Sequence, residues 1–261
     1  MRVGEGSERL LREAAFHDAL VESEGRPADR FYAVNGRSWS AYCDLLVQEV
    51  TRLAAPERPA RVLEYGCGIG SFSSRVLAEH GFGVTGIDIS PLGVSAAEEY
   101  AAAAFPEVGC EYRVMDAERL EFPDGSFDVV CGNGILHHLD LGRAYGEIAR
   151  VLDAAGSAVF TEPLGHNPLI NLYRRFTPDQ RTSDEHPLRM SDLRDAREHF
   201  GEIDVRFFHL LALLAIPFAD RRVFDPLLAG LDRADAALLH RRSPLRRYGW
   251  FAVLRLSRPR S

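Results

Sequence analysis

The chain of 261 residues contains no lysine, so arginine supplies all 31 of its Lys/Arg side chains. Without lysine, the protein has no side-chain amine that forms a Schiff base with a carbonyl compound. It also lacks the lysine that a P-loop uses to hold nucleotide phosphates, and the lysine of the Tyr/Lys couple in short-chain dehydrogenases. Several classes of enzyme with a glycine-rich α/β fold are therefore excluded.

Positive net charge and long apolar runs are also missing. The formal net charge is −7, which argues against a nucleic-acid partner because phosphate contacts require concentrated positive charge. No apolar stretch reaches the roughly 18 residues of a transmembrane helix, and the charged N-terminus lacks the apolar core of a signal peptide. The four cysteines show no C-x-x-C spacing. We therefore expect a cytoplasmic protein with free thiols and no membrane-spanning segment.

A glycine-rich turn is the most informative stretch of the sequence. Two apolar residues lead to Glu64, and glycines follow at alternate positions, at Gly66, Gly68 and Gly70. An amphipathic segment comes next, and the whole order predicts a buried strand, a tight turn and a helix. Glycine permits a positive φ and a close approach of a ligand to the backbone, so we expect a small ligand at this turn.

Two further predicted strands end in an acidic residue. Residues 83–88 form an apolar segment that ends at Asp88, and residues 110–116 form another that ends at Asp116. Ligands of open α/β sheets bind at the carboxyl ends of the strands, and an acid after the second strand is placed to accept the ribose hydroxyls of a nucleoside. The sequence thus predicts a nucleoside-containing ligand between the glycine turn and Asp88.

The pattern Glu-x-Gly-x-Gly-x-Gly from Glu64 to Gly70 resembles motif I of the class I S-adenosylmethionine (SAM)-dependent methyltransferases, in particular bacterial enzymes that act on small molecules. The run from Leu120 to Asp128 is similar to the segment that leads into the fourth strand in this family. The resemblance implies SAM as cofactor, S-adenosyl-L-homocysteine as its product, and no metal. The implied cofactor-binding residues are Glu64, Gly66, Cys67, Gly68, Gly70, Asp88, Ile89, Asp116, Ala117, Gly132, Asn133 and, from the N-terminal segment, Tyr32.

The same resemblance implies a Rossmann-like, doubly wound sheet of seven strands in the order 3-2-1-4-5-7-6, with strand seven antiparallel. We expect an N-terminal helical cap over residues 1–58 and a SAM-binding core over residues 59–261. Residues 210–247 lie between the predicted sixth and seventh strands, where the family has a short hairpin, so we expect a helical insertion with helices at about 222–231 and 232–241. Segments at about 163–190 and 210–245 are expected to cap the substrate.

Candidate catalytic residues follow the predicted fourth strand. The sequence Leu-His-His-Leu places His137 and His138 at the carboxyl end of that strand, beside the expected cofactor site. Histidine is the natural general base near neutral pH. His137 or His138 is therefore the expected base, although one of two adjacent histidines commonly packs inward. His186, in a later loop, is a third candidate.

A loop rich in proline and histidine follows the predicted fifth strand, from Glu162 to Pro187. A loop at this position overhangs the ligand pocket of an open α/β sheet. We expect substrate contacts from four of its residues, which are His166, Tyr173, Arg174 and Glu185. A metal site from His166, His186 and an acid fits no standard ligand spacing, so no metal site is expected.

These observations predict transfer of a methyl group from SAM to an oxygen, nitrogen or carbon atom of a small, apolar or aromatic metabolite, in secondary metabolism. The partner is then a small-molecule substrate, and the apolar insertion leaves a homodimer possible. Two alternatives remain open. One is a SAM-binding protein of this fold that catalyses cyclisation or rearrangement without methylation, and the other is a non-catalytic partner subunit.

Overall fold

The computed structural model describes residues 3–22, 30–55, 58–177 and 185–260. Seven strands form a single sheet in the order 3-2-1-4-5-7-6. All neighbouring strands are parallel except that β7 runs antiparallel to both β5 and β6. The predicted sheet is thereby confirmed. The strands are β1 (Val62–Tyr65), β2 (Thr85–Asp88), β3 (Glu111–Val114), β4 (Phe127–Asn133), β5 (Leu152–Pro163), β6 (Phe200–Phe208) and β7 (Phe251–Pro259).

Helices precede the sheet and connect its strands. In the described residues these are α1 (Val3–Glu22), α2 (Gly36–Leu53), α3 (Ser73–Glu79), α4 (Pro91–Ala104), α5 (Leu141–Val151), α6 (Pro168–Phe176), α7 (Asp192–Asp195) and α8 (Phe224–Leu238). Short 3₁₀ helices include Arg30–Val34, Leu136–His138, Ala212–Phe218 and Pro244–Tyr248. None of the helices in the described ranges is long and apolar enough to cross a membrane.

The central strands β1 and β4 are buried on both faces because they are largely apolar, whereas β3 and β6 expose charged residues. Successive side chains of a strand point to opposite faces, and in β4 Val130 belongs to one core cluster while Val129 and Cys131 belong to the other. One cluster includes Ile148 of α5, and the second includes Leu46 of α2. Helix α2 therefore packs directly on the sheet, and the expected boundary of the cap at residue 58 stays a prediction.

The insertion between β6 and β7 differs from the expected pair of helices. Residues 224–238 form one continuous helix, α8, and residues 212–218 form a 3₁₀ helix against it. The buried carboxylate of Asp235 in α8 accepts the backbone N–H groups of Leu210, Leu211 and Ala212. A single glycine, Gly230, does not interrupt α8, because apolar packing on both sides of it offsets its low helix propensity.

The connection before β6 is also shorter than expected. The sequence predicts a helix over 191–200, whereas α7 ends at Asp195 and a 3₁₀ turn follows it to Glu198. Strand β6 begins at Phe200, which is completely buried in the main core. Burial of this aromatic side chain in the core favours the strand over a further helical turn.

Candidate active site

The glycine-rich turn lies between β1 and α3, as the sequence predicts. Gly66, Gly68 and Gly70 have positive φ angles of 64°, 50° and 73°. The backbone N–H of Gly68 donates to Oδ2 of Asp88 at 2.8 Å, which ties the turn to the end of β2. A Cβ atom on Gly68 would meet no heavy atom within 4 Å. The space beside Gly68 is therefore open, and its positive φ is the reason for glycine there.

Glu64 is buried beneath this turn, with 1% of its surface exposed. Its carboxylate accepts the backbone N–H groups of Ser73 and Ser74, each at 3.0 Å, and also the Ser74 hydroxyl. It therefore satisfies N–H groups that have no partner within α3. Burial raises the pKa of Glu64 to about 7, while these hydrogen bonds oppose the shift. Glu64 shapes the turn, and its direct contact with a cofactor stays a prediction.

We expect the Glu64 carboxyl group to titrate near pH 7 in the folded protein, instead of near its ordinary value of 4.5. Folding then favours the protonated form of Glu64. The free energy of unfolding therefore falls by about 3 kcal/mol in total as the pH rises from about 4.5 to about 7. Carbon-13 NMR of the carboxyl signals measures the midpoint, and Glu64→Gln identifies the signal by removing it. A Glu64 signal that titrates below about pH 5 contradicts this expectation.

Asp88 ends β2 and lies beside the residues that follow β3, which ends at Val114, two residues before Asp116. The backbone N–H of Met115 donates to the carbonyl of Asp88 at 2.9 Å. Oδ1 of Asp88 accepts the N–H of Ser90 at 2.8 Å, and Oδ1 of Asp116 accepts the N–H of Glu118 at 2.9 Å. Both carboxylates remain partly exposed. The structure thus brings Asp88 and Asp116 together beside the glycine turn, with the predicted neighbours Ile89 and Ala117 next to them in the chain.

Gly132 and Asn133 end β4 at the same edge of the sheet. A Cβ atom on Gly132 would lie 2.7 Å from a side-chain carbon of Ile135 and 2.8 Å from the ring of Phe160. Only glycine fits without displacing these side chains. Cys67 of the turn is completely buried, and its backbone N–H donates to the carbonyl of Ile87 at 3.0 Å. These residues form the floor of the expected cofactor site.

Helix α1 crosses this edge of the sheet. Towards one end, Asp18 accepts hydrogen bonds from the Ser90 hydroxyl and from the backbone N–H of Leu92. Towards the other end, Arg9 donates to the carbonyl of His138 and pairs with Glu118. Sequence reasoning did not single out these charged residues, because charges on an amphipathic helix usually face solvent. The contacts hold α1 over the site between β2 and β4.

His137 and Glu162 form a buried pair at the ends of β4 and β5. Nδ1 of His137 lies 2.8 Å from Oε2 of Glu162, whose side chain is completely buried. Oε1 of Glu162 accepts the backbone N–H groups of Ile135 and Leu136, at 2.9 and 2.8 Å. Burial lowers the pKa of His137, and the Glu162 carboxylate opposes this change. A neutral ring that donates from Nδ1 to Glu162 carries its lone pair on Nε2, where it accepts a proton.

A second cluster surrounds His138, whose ring centroid lies 4.3 Å from that of His137. Nδ1 of His138 is 3.2 Å from Oε2 of Glu13 in α1, and Nε2 is 3.8 Å from Oε1 of Glu185. Nε2 of His17, one turn along α1 from Glu13, is 3.7 Å from the same Glu13 oxygen. Sequence analysis missed Glu13 and His17, although their i, i+4 spacing on a helix was visible.

The loop after β5 reaches the histidines through its last residues. The backbone N–H of His186 donates to the carbonyl of His137 at 2.9 Å, while the His186 side chain is exposed. Glu185 is brought to His138, as described above. The predicted roles of Glu185 in substrate binding and of His186 in catalysis stay predictions, and the structure places both residues at the candidate site.

The other predicted substrate contacts lie on or before α6. Nε2 of His166 accepts the backbone N–H of Met190 at 3.1 Å. Arg174 donates to the carbonyl of Leu164 and to Oδ1 of Asn171, so it stabilises the start of the loop. Tyr173 is half-buried on α6. These contacts of His166 and Arg174 stabilise the loop, and the roles of both residues towards a substrate stay predictions.

Tyr32 lies on the β7 side of the sheet edge. Its ring centroid is 5.4 Å from that of Trp250, and 45% of the residue is exposed. Trp250 belongs to a small core that joins the insertion to α6 and the N-terminal segment. A contact between Tyr32 and the cofactor stays a prediction.

Comparison with known proteins gives one consistent result. A family model described as a methyltransferase domain matches residues 63–160. The chain is 44% identical over 103 residues to 2-methyl-6-phytyl-1,4-hydroquinone methyltransferase of Synechocystis sp., an alignment that covers 39% of this chain and 31% of that protein. It is 27% identical over 191 residues to the ubiquinone biosynthesis O-methyltransferase of Bordetella avium, which covers 66% of this chain and 78% of that protein.

A solved structure shows the same fold. Phosphoethanolamine N-methyltransferase 2 of Haemonchus contortus, in complex with S-adenosyl-L-methionine, matches with a TM-score of 0.59 and 19% sequence identity. The match covers 83% of this chain and 53% of that one. The chain spans 31%, 41% and 43% of the lengths of the first three curated relatives. The similarity therefore centres on the strands around the glycine turn.

Proposed function

Because this chain belongs to the class I SAM-dependent methyltransferases, we propose that it transfers the methyl group of SAM to a hydroxyl group of a small aromatic metabolite in secondary metabolism. The observation that carries this proposal is the buried pair of His137 and Glu162, which follows β4 beside the glycine turn. A base of this kind is needed when the acceptor atom carries a proton that must leave.

The residues at the carboxyl edge fit SAM. The open space beside Gly68 allows a ligand to lie against the backbone, and the partly exposed carboxylate of Asp88 is available to ribose hydroxyls. Asp116 and the backbone of Ala117 would hold the adenine, and Gly132 and Asn133 would line the methionine part. Bound SAM supplies an electrophilic methyl group on a sulfonium ion.

In this proposal, side chains of the protein accept the proton of the acceptor and orient the reactants. Glu162 fixes the His137 ring, since its second oxygen is itself held by two backbone N–H groups. Nε2 of His137 then accepts the hydroxyl proton of the acceptor, which contributes about 10²–10⁴-fold to the rate. Helix α1 covers the site and restricts water. Alignment of the acceptor with the methyl group supplies roughly 7–11 kcal/mol of the barrier reduction.

Two features support an apolar, aromatic acceptor. The first is the pair of relatives named for hydroquinone and ubiquinone chemistry. The second is the set of exposed apolar side chains on the segments that follow β5 and β6, which are Leu169, Leu172, Phe176, Leu214 and Phe218. Burying apolar ligand surface against such side chains contributes about 25 cal/mol per Å². Segments 163–190 and 210–245 are therefore proposed to select the acceptor.

A mass-spectrometric screen tests this function. The purified full chain is incubated with SAM and a panel of small phenols and hydroquinones, together with matched compounds whose hydroxyls are already methylated. We expect a product heavier by one CH₂ group from a free phenol, and none from the fully methylated compound. A cyclised or rearranged product without mass gain would support the alternative chemistry. No binding of SAM in titration calorimetry would support a non-catalytic subunit. Either result contradicts the proposal.

A further inference from the structure

We propose that Glu13, His17 and His138 form a binding site for a divalent metal ion of the zinc type, which joins α1 to the end of β4. This proposal does not depend on the proposed methyltransferase activity. One ligand atom of each residue lies within 4.8 Å of the other two. Glu13 and His17 lie one turn apart on α1, and His138 comes from the 3₁₀ turn after β4. The three side chains therefore converge from two separate elements.

The two separations that involve Glu13 are close to those around a single tetrahedral ion. Zinc binds histidine nitrogen and carboxylate oxygen at about 2.0–2.2 Å, so two ligand atoms of one tetrahedral ion lie about 3.3–3.6 Å apart. Oε2 of Glu13 lies 3.2 Å from Nδ1 of His138 and 3.7 Å from Nε2 of His17. One ligand atom from each residue lies within 4.8 Å of the others, so rotation of the side chains would bring all three to one ion. A fourth position remains for water or another ligand.

The surroundings of His138 support the same conclusion. His138 is 8% exposed, and its Nδ1 forms no hydrogen bond within the described part of the chain, although an oxygen of Glu13 lies 3.2 Å away. A buried ring nitrogen without such a bond is costly unless something else satisfies it. The opposite nitrogen, Nε2, faces Oε1 of Glu185 at 3.8 Å. Histidines that bind metal commonly direct their other nitrogen to a carboxylate, which orients the ring.

The chemistry of the three ligand residues indicates which class of metal ion the site would bind. Two imidazoles and one carboxylate suit zinc and similar transition metals, whereas magnesium and calcium prefer oxygen ligands throughout. Three protein ligands with an open fourth position are typical of zinc sites that exchange ligands. His17 is the most exposed of the three, with 32% of its side chain accessible, and it provides the route of entry.

Titration of the full-length, chelator-treated protein with Zn²⁺ tests the site. We expect one strongly bound ion per chain, and Co²⁺ in its place should give the visible absorption of tetrahedral coordination. Glu13→Gln, His17→Ala and His138→Ala should each weaken zinc binding by more than about 100-fold, and Glu185→Gln by about 10–100-fold. Two matched controls should leave affinity unchanged. These are Glu8→Gln, on an exposed position of α1, and the exposed histidine variant His80→Ala.

A second readout does not depend on affinity. Zinc should slow hydrogen exchange of the backbone N–H groups of α1 in the wild type and in Glu8→Gln, but not in His17→Ala. Circular dichroism of each metal-free variant shows whether it is folded. His17→Ala is the decisive variant, because His17 is the least buried of the three proposed ligands and its replacement is least expected to disturb folding. The proposal is overturned if zinc binding is absent, or if it is equal in His17→Ala and His80→Ala. It is also overturned if binding needs His138 and Glu185 but neither residue of α1.

Discussion

Replacement of Asp88 by alanine should lower the affinity for SAM by about 10²–10⁴-fold. An ionised carboxylate has about four acceptor positions, and the backbone N–H groups of Gly68 and Ser90 occupy two of them. Two positions remain for the two ribose hydroxyls. Each charge-assisted hydrogen bond contributes about 1.5–3 kcal/mol, which gives the expected loss. Isothermal titration calorimetry with SAM measures this loss of affinity. Asp153→Ala, at a partly exposed acid at the start of β5, is the control.

A second ligand separates ribose binding from collapse of the glycine turn. Wild-type protein should bind S-adenosyl-L-homocysteine more tightly than its 2′-deoxy analogue, because the analogue lacks one of the hydroxyls. In Asp88→Ala this difference should disappear. If the variant still distinguishes the two ligands, or if it binds SAM as tightly as the wild type, Asp88 does not hold the ribose.

The change from Glu162 to glutamine should reduce turnover by about 10²–10⁴-fold while the protein remains folded. Glutamine keeps one oxygen for the N–H groups of Ile135 and Leu136, which Glu162 holds at 2.9 and 2.8 Å. Its amide nitrogen donates where the carboxylate accepted, so Nδ1 of His137 must become the acceptor. The proton of the neutral ring then moves to Nε2, which blocks the nitrogen proposed to take the proton of the acceptor.

Alanine at position 162 should add a loss of stability to the loss of turnover. Two buried N–H groups and the His137 ring would lose their acceptor, and each unsatisfied group costs about 1–3 kcal/mol. Chemical denaturation measures this change, and rates with a phenol from the screen measure turnover. Glu147→Gln is a matched control for Glu162→Gln. Glu147 also accepts a backbone N–H, that of Leu120, but it lies away from the site. Wild-type turnover of Glu162→Gln would remove His137 from the role of base.

Local patterns were sufficient to predict most of the fold. The glycine turn, the acid that ends β2, the acid that follows β3, and the fourth strand all depend on short-range periodicity and turn chemistry. The exact limits of the elements depended on packing. Strand β7 begins at Phe251 instead of 248, since Ser243 accepts the N–H of Leu245 and starts a 3₁₀ turn through Tyr248.

The candidate site was predicted only in part. Asp88, Asp116 and the histidine pair were identifiable because each follows a strand and therefore lies at one edge of the sheet. Glu162 also ends a strand, but its pairing with His137 joins residues 25 positions apart and leaves no short-range signal. Cofactor binding by Glu64 stays a prediction, and the structure adds that its carboxylate accepts the first N–H groups of α3. A sequence pattern does not show which way such a side chain turns.

The sequence by itself determined the class of fold, the position of the glycine turn and the edge of the sheet at which a ligand is expected. These depend on the alternation of apolar residues and on the backbone freedom of glycine, which act over a few residues. Only the tertiary structure decided which polar groups meet there. It brought Glu13 and His17 of α1 to His138, and Glu162 to His137, because contacts of α1 with the end of β4, and the pairing of β5 with β4, join distant parts of the chain.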